Sequence, residues 1–323
     1  MRAKRLAPTI FVCLAALALR PSPSSTAFAQ AWVPAEGEGS VTTTYQNLQV
    51  HDHFNGAGVA SSAIGSIRTN AVITSIEYGI TDRLTLDAEV AYIASKYKGA
   101  HPHGPPDTGR YHPTFQDAYI GVRYNVLESP VVLTPFVGVT IPTHNYDPRG
   151  HSGVGRHFNE LLFGVTAARG LDPVLKNVYV QASYSFALLK HFDGLNLNRS
   201  NLDWEVGWDA HRRLSVSFLG ALQVTHGGLI TPLDEHIEDH LREFHDRATR
   251  AQYVRLGGGA TLSVSRACDL HAAYLTTVSG RNTHAPRGFA VGISWRFSRG
   301  LDISKISAGS SPRGAPAAGQ GAF

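Results

Sequence analysis

From Ser40 to Phe297, apolar and polar residues alternate in segments of about ten residues, the length a tilted strand needs to cross a bilayer. Leu202, Trp204, Val206, Trp208 and Ala210 share one face, with Asp203, Glu205, Gly207 and Asp209 on the other. The same spacing sets Leu84, Leu86, Ala88, Val90 and Tyr92 against Asp87, Glu89 and Ala91. It also sets Phe289, Val291, Ile293, Trp295 and Phe297 against Gly292, Ser294 and Arg296. Such segments predict strands near 40–50, 69–80, 84–95, 114–126, 131–142, 158–168, 177–188, 201–210, 214–225, 252–264, 269–278 and 288–297.

Alternation alone fits a soluble sandwich equally well, because there the apolar face is the interior. The connections separate the two. Links after even strands are brief, as in Thr81-Asp82-Arg83, Leu127-Glu128-Ser129, His211-Arg212-Arg213 and Ser265 to Cys268. Links after odd strands are long, as in Ser95 to Pro113 and His226 to Arg250. Short turns on one side and long loops on the other mark an all-β, antiparallel transmembrane barrel of about twelve strands. Its turns are periplasmic and its long loops lie outside. An even strand count returns both ends to the periplasm. The last strand, Gly292 to Phe297, carries the glycine and spaced aromatics read by the barrel assembly machinery, a partner expected together with outer-membrane lipids.

The ends differ from this pattern. Arg2, Lys4 and Arg5 precede the apolar run Leu6 to Leu19 and the small residues ending at Ala29, which predicts a signal peptide over 1–29. The barrel is then expected over 30–298 in the outer membrane of a Gram-negative-type bacterium. Residues 299–323, rich in Ser, Gly, Pro and Ala, read as a disordered periplasmic tail. The formal charge of +4 owes its sign to the leader, since without Arg2, Lys4, Arg5 and Arg20 the chain holds 25 basic against 25 acidic residues. A neutral chain without a basic and aromatic array argues against nucleic acid as a partner. Cys268 stands alone once Cys13 leaves with the signal peptide, so neither a disulfide framework nor a cysteine metal cluster can form.

Glu77-Tyr78-Gly79-Ile80-Thr81-Asp82-Arg83-Leu84-Thr85-Leu86 reads as strand, tight turn and strand. With Phe115 to Tyr124 and Val137-Gly138-Val139-Thr140-Ile141-Pro142-Thr143, it resembles the outer-membrane family named for the meta-pathway (MetA-pathway) of phenol degradation. The resemblance covers roughly Tyr78 to Ser185 and implies a barrel transporter or channel. Its motifs are structural and speak to architecture more than cargo.

If the apolar face meets lipid, the lumen receives Glu77, Asp87, Glu89, Asp117, Glu160, Asp203, Glu205 and Asp209, with Arg123, Arg255 and Arg296, and Arg68 near a rim. A charge facing lipid costs about 2–4 kcal/mol at the midplane, so a shared inward orientation follows. Two roles fit: an internal ion-pair network filling a narrow barrel, or an acidic pathway preferring cations. The expected function is passive passage of small solutes, either cations or aromatic and hydrophobic compounds, through a monomer or weak oligomer that is not an enzyme.

Histidine offers a second reading. Fourteen of the 16 histidines fall in predicted outer loops, all but His211 and His271, an arrangement suited to binding zinc or copper. Within 226–250, Thr231 and Pro232 predict a helix start. Helical spacing then brings His236, His240 and Glu243 to one face as a candidate metal site. No other cofactor is expected. Gly150-His151-Ser152-Gly153 raises a third reading, a barrel enzyme of the phospholipase type, although adjacent His and Ser lack the spacing that places both on one strand face. A sleeve around a haem protein would need a partner, since the chain has no Cys-x-x-Cys-His motif.

Overall fold

The computed structural model describes residues 30–63, 65–233 and 239–298, so the expected signal peptide and tail both lie outside the described residues. Strands run over β1 Glu38–Phe54, β2 Ala60–Ser61, β3 Ser66–Gly79, β4 Leu84–Lys98, β5 His112–Phe115, β6 Asp117–Tyr124 and β7 Val132–Pro142. They continue over β8 Glu160–Gly170, β9 Val178–Leu189, β10 Arg199–His211, β11 Leu214–Thr225, β12 Gln252–Ser263, β13 Cys268–Arg281 and β14 Thr283–Ser298. β2 is a two-residue appendage on β1, and β5 and β6 both pair with β4 on either side of Gln116. The other neighbours pair antiparallel in sequence order, and β14 closes on β1 from Glu38↔Ser298 to Phe54↔Thr283. The result is a closed barrel of 12 long strands without a free edge.

Closure follows from the period-two pattern, because every backbone donor and acceptor in the bilayer needs a partner and only a complete ladder supplies one. No described helix is long and apolar enough to cross a membrane. The outward face is an exposed apolar belt that includes Val72, Ile76, Ile120, Val139, Phe163, Val206, Phe218 and Val291. In water such a surface would aggregate, whereas lipid tails match it. Tyr124, Trp208 and Trp295 face outward near the short turns, where an aromatic girdle meets the headgroups. This fold and this belt place the protein in a bacterial outer membrane.

Two expectations need correction. The nine residues left between the last two predicted strands are not a loop: β13 and β14 continue through them and reverse at Asn282, which takes the left-handed conformation at φ 49. Arg68 does not approach the lumen either. It is exposed on the outward parity of β3, alternating with buried Ile67.

Candidate functional site: the lumen and its outer mouth

Inward positions divide the lumen into two halves. Near the short turns, Arg123 on β6 is fully enclosed between Asp87 on β4 and Glu77 on β3. Its Nε lies 2.9 Å from Asp87 Oδ2, and it is ion-paired with Glu77. The same guanidinium donates to the Gln30 carbonyl at 2.6 Å, and Thr134 Oγ1 donates to the Ala31 carbonyl at 2.6 Å. Trp32 meets the Tyr179 ring edge-on at 5.8 Å. The segment beginning at Gln30 therefore occupies the periplasmic end of the lumen. Glu205 on β10 accepts from Tyr179 Oη at 2.7 Å and Gln181 Nε2 at 2.8 Å. Gly207 makes this possible, since a Cβ there would overlap the Tyr179 ring. Arg296 reaches Asp269 at 3.1 Å, and Asp209 accepts from Ser215.

Farther out, Arg199 is ion-paired with Glu160, and Asp117 accepts from Tyr146. Arg255 lies over the Tyr253 ring at 4.3 Å, and Glu89 and Asp203 also have interaction partners. Apart from Arg68, the lumen residues read from the sequence thus lie on the inward face, and most of the acids are met by local donors rather than forming a bare ring. Arg199 was missed because the predicted strand began at 201. Extending the same odd-numbered parity by two residues would have found it.

Above these groups the inward face turns apolar. Val50, Ile67 and Ile93 are buried there and, with Leu48, Ala273 and Leu275, line a cavity of about 500 Å³. Its charged lining includes Arg156, Arg247 and Arg255. Arg247 sits 3.9 Å over the Phe158 ring and 4.8 Å over Phe192, a cation held by aromatic faces. Burial and the nearby Arg199 guanidinium lower Arg156 to about 9, which still leaves it charged at neutral pH. The Nε atoms of both Arg156 and Arg247 are buried without a hydrogen-bond partner among the described residues. No sequence signal marks Arg156, which reaches the lumen from a loop.

The mouth above the cavity is built by loops. Asp107 accepts the backbone N–H groups of His103 and His151 at 3.0 Å each and of Ser152 at 2.8 Å, tying loop 99–111 to loop 143–159. Ser152 Oγ lies 2.7 Å from Asp107, while His151 Nδ1 lies 2.8 Å from Asp246. The adjacent His and Ser are thus engaged with different carboxylates and do not form a nucleophile and base pair. Burial opposes charge on His245, but Asp246 and the Arg242 carbonyl outweigh it and raise its pKa to about 9. His103 is lowered to about 4 by burial and by the neighbouring His151 and His245.

Of the segment expected to carry a metal site on 231–243, the predicted helix start is not observed. Thr231 and Pro232 are not helical, and the Thr231 N–H and hydroxyl both face Asn282 Oδ1. The described helical residues are α1 Asp239–Glu243 and α2 His245–Ala248. Glu243 is taken by Arg149 at 3.0 Å. His236 and the His240 side chain lie outside the described residues.

The chain is similar to the COG4313 outer membrane channel from Pseudomonas putida F1, with a TM-score of 0.61 and 14% identity over 83% of this chain and 97% of that one. It is more loosely similar to the translocator domain of autotransporter NalP from Neisseria meningitidis. There the TM-score is 0.46 and the identity 11%, over 82% of this chain and 90% of that one. No family model matches the chain, and no curated relative matches it by sequence. The protein is of the outer-membrane β-barrel class.

Proposed function

We propose that this barrel is a passive channel for small solutes with an aromatic or otherwise apolar body, and that a carboxylate on such a solute is favoured. The carrying observation is the outer cavity. It is walled by Val50, Ile67, Ile93 and Leu275, and its charged lining includes the Arg156 and Arg247 guanidiniums, each with a buried Nε lacking a hydrogen-bond partner among the described residues. Apolar walls with a few convergent polar groups are the usual make-up of a small-molecule site.

Of the two solute classes left open by the sequence, cations fit less well. Glu77, Asp87 and Glu160 are paired with arginine, so their charge is neutralised locally, and Glu205 is held by Tyr179 and Gln181. The resemblance to the meta-pathway family is in keeping with an aromatic cargo, and the similar Pseudomonas barrel is described as a channel.

Liposomes carrying the purified barrel test this reading. Benzoate and benzyl alcohol are expected to enter faster than the similarly sized benzylammonium ion, and Arg156→Gln is expected to remove most of the advantage of benzoate over benzyl alcohol. Faster entry of benzylammonium would overturn the preference, and no entry of any of the three would overturn the channel.

A further inference from the structure

We infer that the outer mouth holds a transition-metal dication of the zinc class on His53, His151 and His284, with Asp246 orienting two of the three rings. The ligand atoms of this trio lie within 4.8 Å of one another. A tetrahedral ion with Zn–N distances of about 2.0–2.1 Å holds its nitrogens about 3.4 Å apart, so closing on the metal takes side-chain movements of about 1 Å.

Local structure explains why these three residues meet. β1 pairs with β14 through Val50↔Pro286 and then His53↔His284, so β1 carries one extra residue between them. That bulge reverses the parity of β1, turning His53 to the side that Asp52 would otherwise occupy. Bulges recur beside functional sites because they re-aim a side chain in this way. The two rings consequently lie 4.0 Å apart, centre to centre. His151 arrives from loop 143–159, held by the Asp107 carboxylate, and its ring centre is 5.8 Å from His53 and 6.1 Å from His284.

The hydrogen bonds assign free nitrogens. His151 Nδ1 is 2.8 Å from Asp246 Oδ2, and its Nε2 is buried without a hydrogen-bond partner among the described residues. His284 Nε2 is 3.0 Å from Asp246 Oδ1, which leaves its Nδ1 as the ligating atom. One carboxylate thus engages a nitrogen on each of two rings and favours a lone pair on the other. That is how a carboxylate behind a metal-bound histidine fixes tautomer and orientation. Stranding a buried ring nitrogen is unfavourable, a penalty that a metal bond removes.

A second trio, His103, His151 and His245, is also compact. Its geometry is poorer for ligation, because His245 has Nδ1 on the Arg242 carbonyl at 2.7 Å and Nε2 on Asp246 at 3.1 Å, leaving no nitrogen free. His245 acts instead as the counter-charge to Asp246. Neutral imidazoles with a carboxylate behind them suit zinc, copper or nickel rather than magnesium or calcium. The three histidines line the same cavity as the arginines and come from β1, β14 and loop 143–159, so a bound ion would tie three parts of the mouth together.

The test is a zinc titration of the folded, metal-stripped barrel, prepared without a polyhistidine tag and in competition with a chromophoric chelator. Cobalt serves as a second probe of tetrahedral geometry. One saturating equivalent is expected, with intense cobalt absorption in the visible. His53→Gln with His284→Gln is expected to weaken zinc by at least a hundredfold, and Asp246→Asn by about 10–100-fold. His103→Gln, and separately His236→Ala with His240→Ala, are expected to stay within about twofold of wild type. Different migration of unboiled and boiled protein in a denaturing gel checks that each variant is folded. Any of three results overturns the site: no saturating equivalent in the wild-type protein, unchanged affinity in folded His53→Gln/His284→Gln, or loss in His103→Gln with retention in that double variant.

Discussion

In the periplasmic half of the lumen, Arg123 lies between Glu77 and Asp87 and also holds the Gln30 carbonyl. In the outer half, Val50, Ile67 and Ile93 line a cavity roofed by loops. Both halves use inward positions of the same strands. The inner half fills its space with groups that satisfy one another, and such a network leaves little room for a solute. The outer half leaves apolar wall and two guanidiniums whose buried Nε atoms have no hydrogen-bond partner among the described residues, which is an environment a solute can complete. On the proposed channel function, the inner half is the constriction and the outer half the recognition site.

Substitutions should separate the halves. Arg123→Leu is expected to have the largest effect, about 3–5 kcal/mol of lost stability, because it strands two buried carboxylates. The loss should appear as a lower unfolding midpoint in denaturant, and an unchanged midpoint would break the picture of a paired inner half. Val206→Arg places a charge on the lipid face and should cost about 2 kcal/mol or more, seen as poor assembly, by the depth-dependent cost of lipid-facing arginine. On the opposite parity of the same strand, Asp203→Asn should assemble nearly as well as wild type. Equal defects in the two would mean that the faces are misassigned.

Smaller again is Thr134→Val, which removes the hydrogen bond to the Ala31 carbonyl and should cost about 1 kcal/mol. Its informative readout is permeability, which should rise as the segment at Gln30 loosens.

The twelve strands and their facing were legible because a barrel in lipid enforces period two. Leu202 to Ala210 alternates without error, and Glu205 is inward while Val206 is outward, as the parity requires. Alternation also contained a less obvious signal: over Val90 to Ile93 neither face is charged, and this is where Ala91 and Ile93 line the apolar half. The histidine content marked the outer loops as chemically unusual, but not which histidines meet. His151 and Asp246 are 95 residues apart and His151 is held by the Asp107 carboxylate, while His53 reaches His284 through a one-residue bulge in β1. Helical spacing, the only local rule available for 231–243, selected a different trio, and Glu243 turned out to belong to Arg149.

Planar-bilayer conductance of the wild-type barrel beside a variant lacking residues 30–34 tests the central claim, a conducting lumen constricted at its periplasmic end, most directly. The account predicts a small but reproducible current in the wild-type barrel and a current several-fold larger in the deletion. A folded, inserted barrel that passes no current in either form would contradict it.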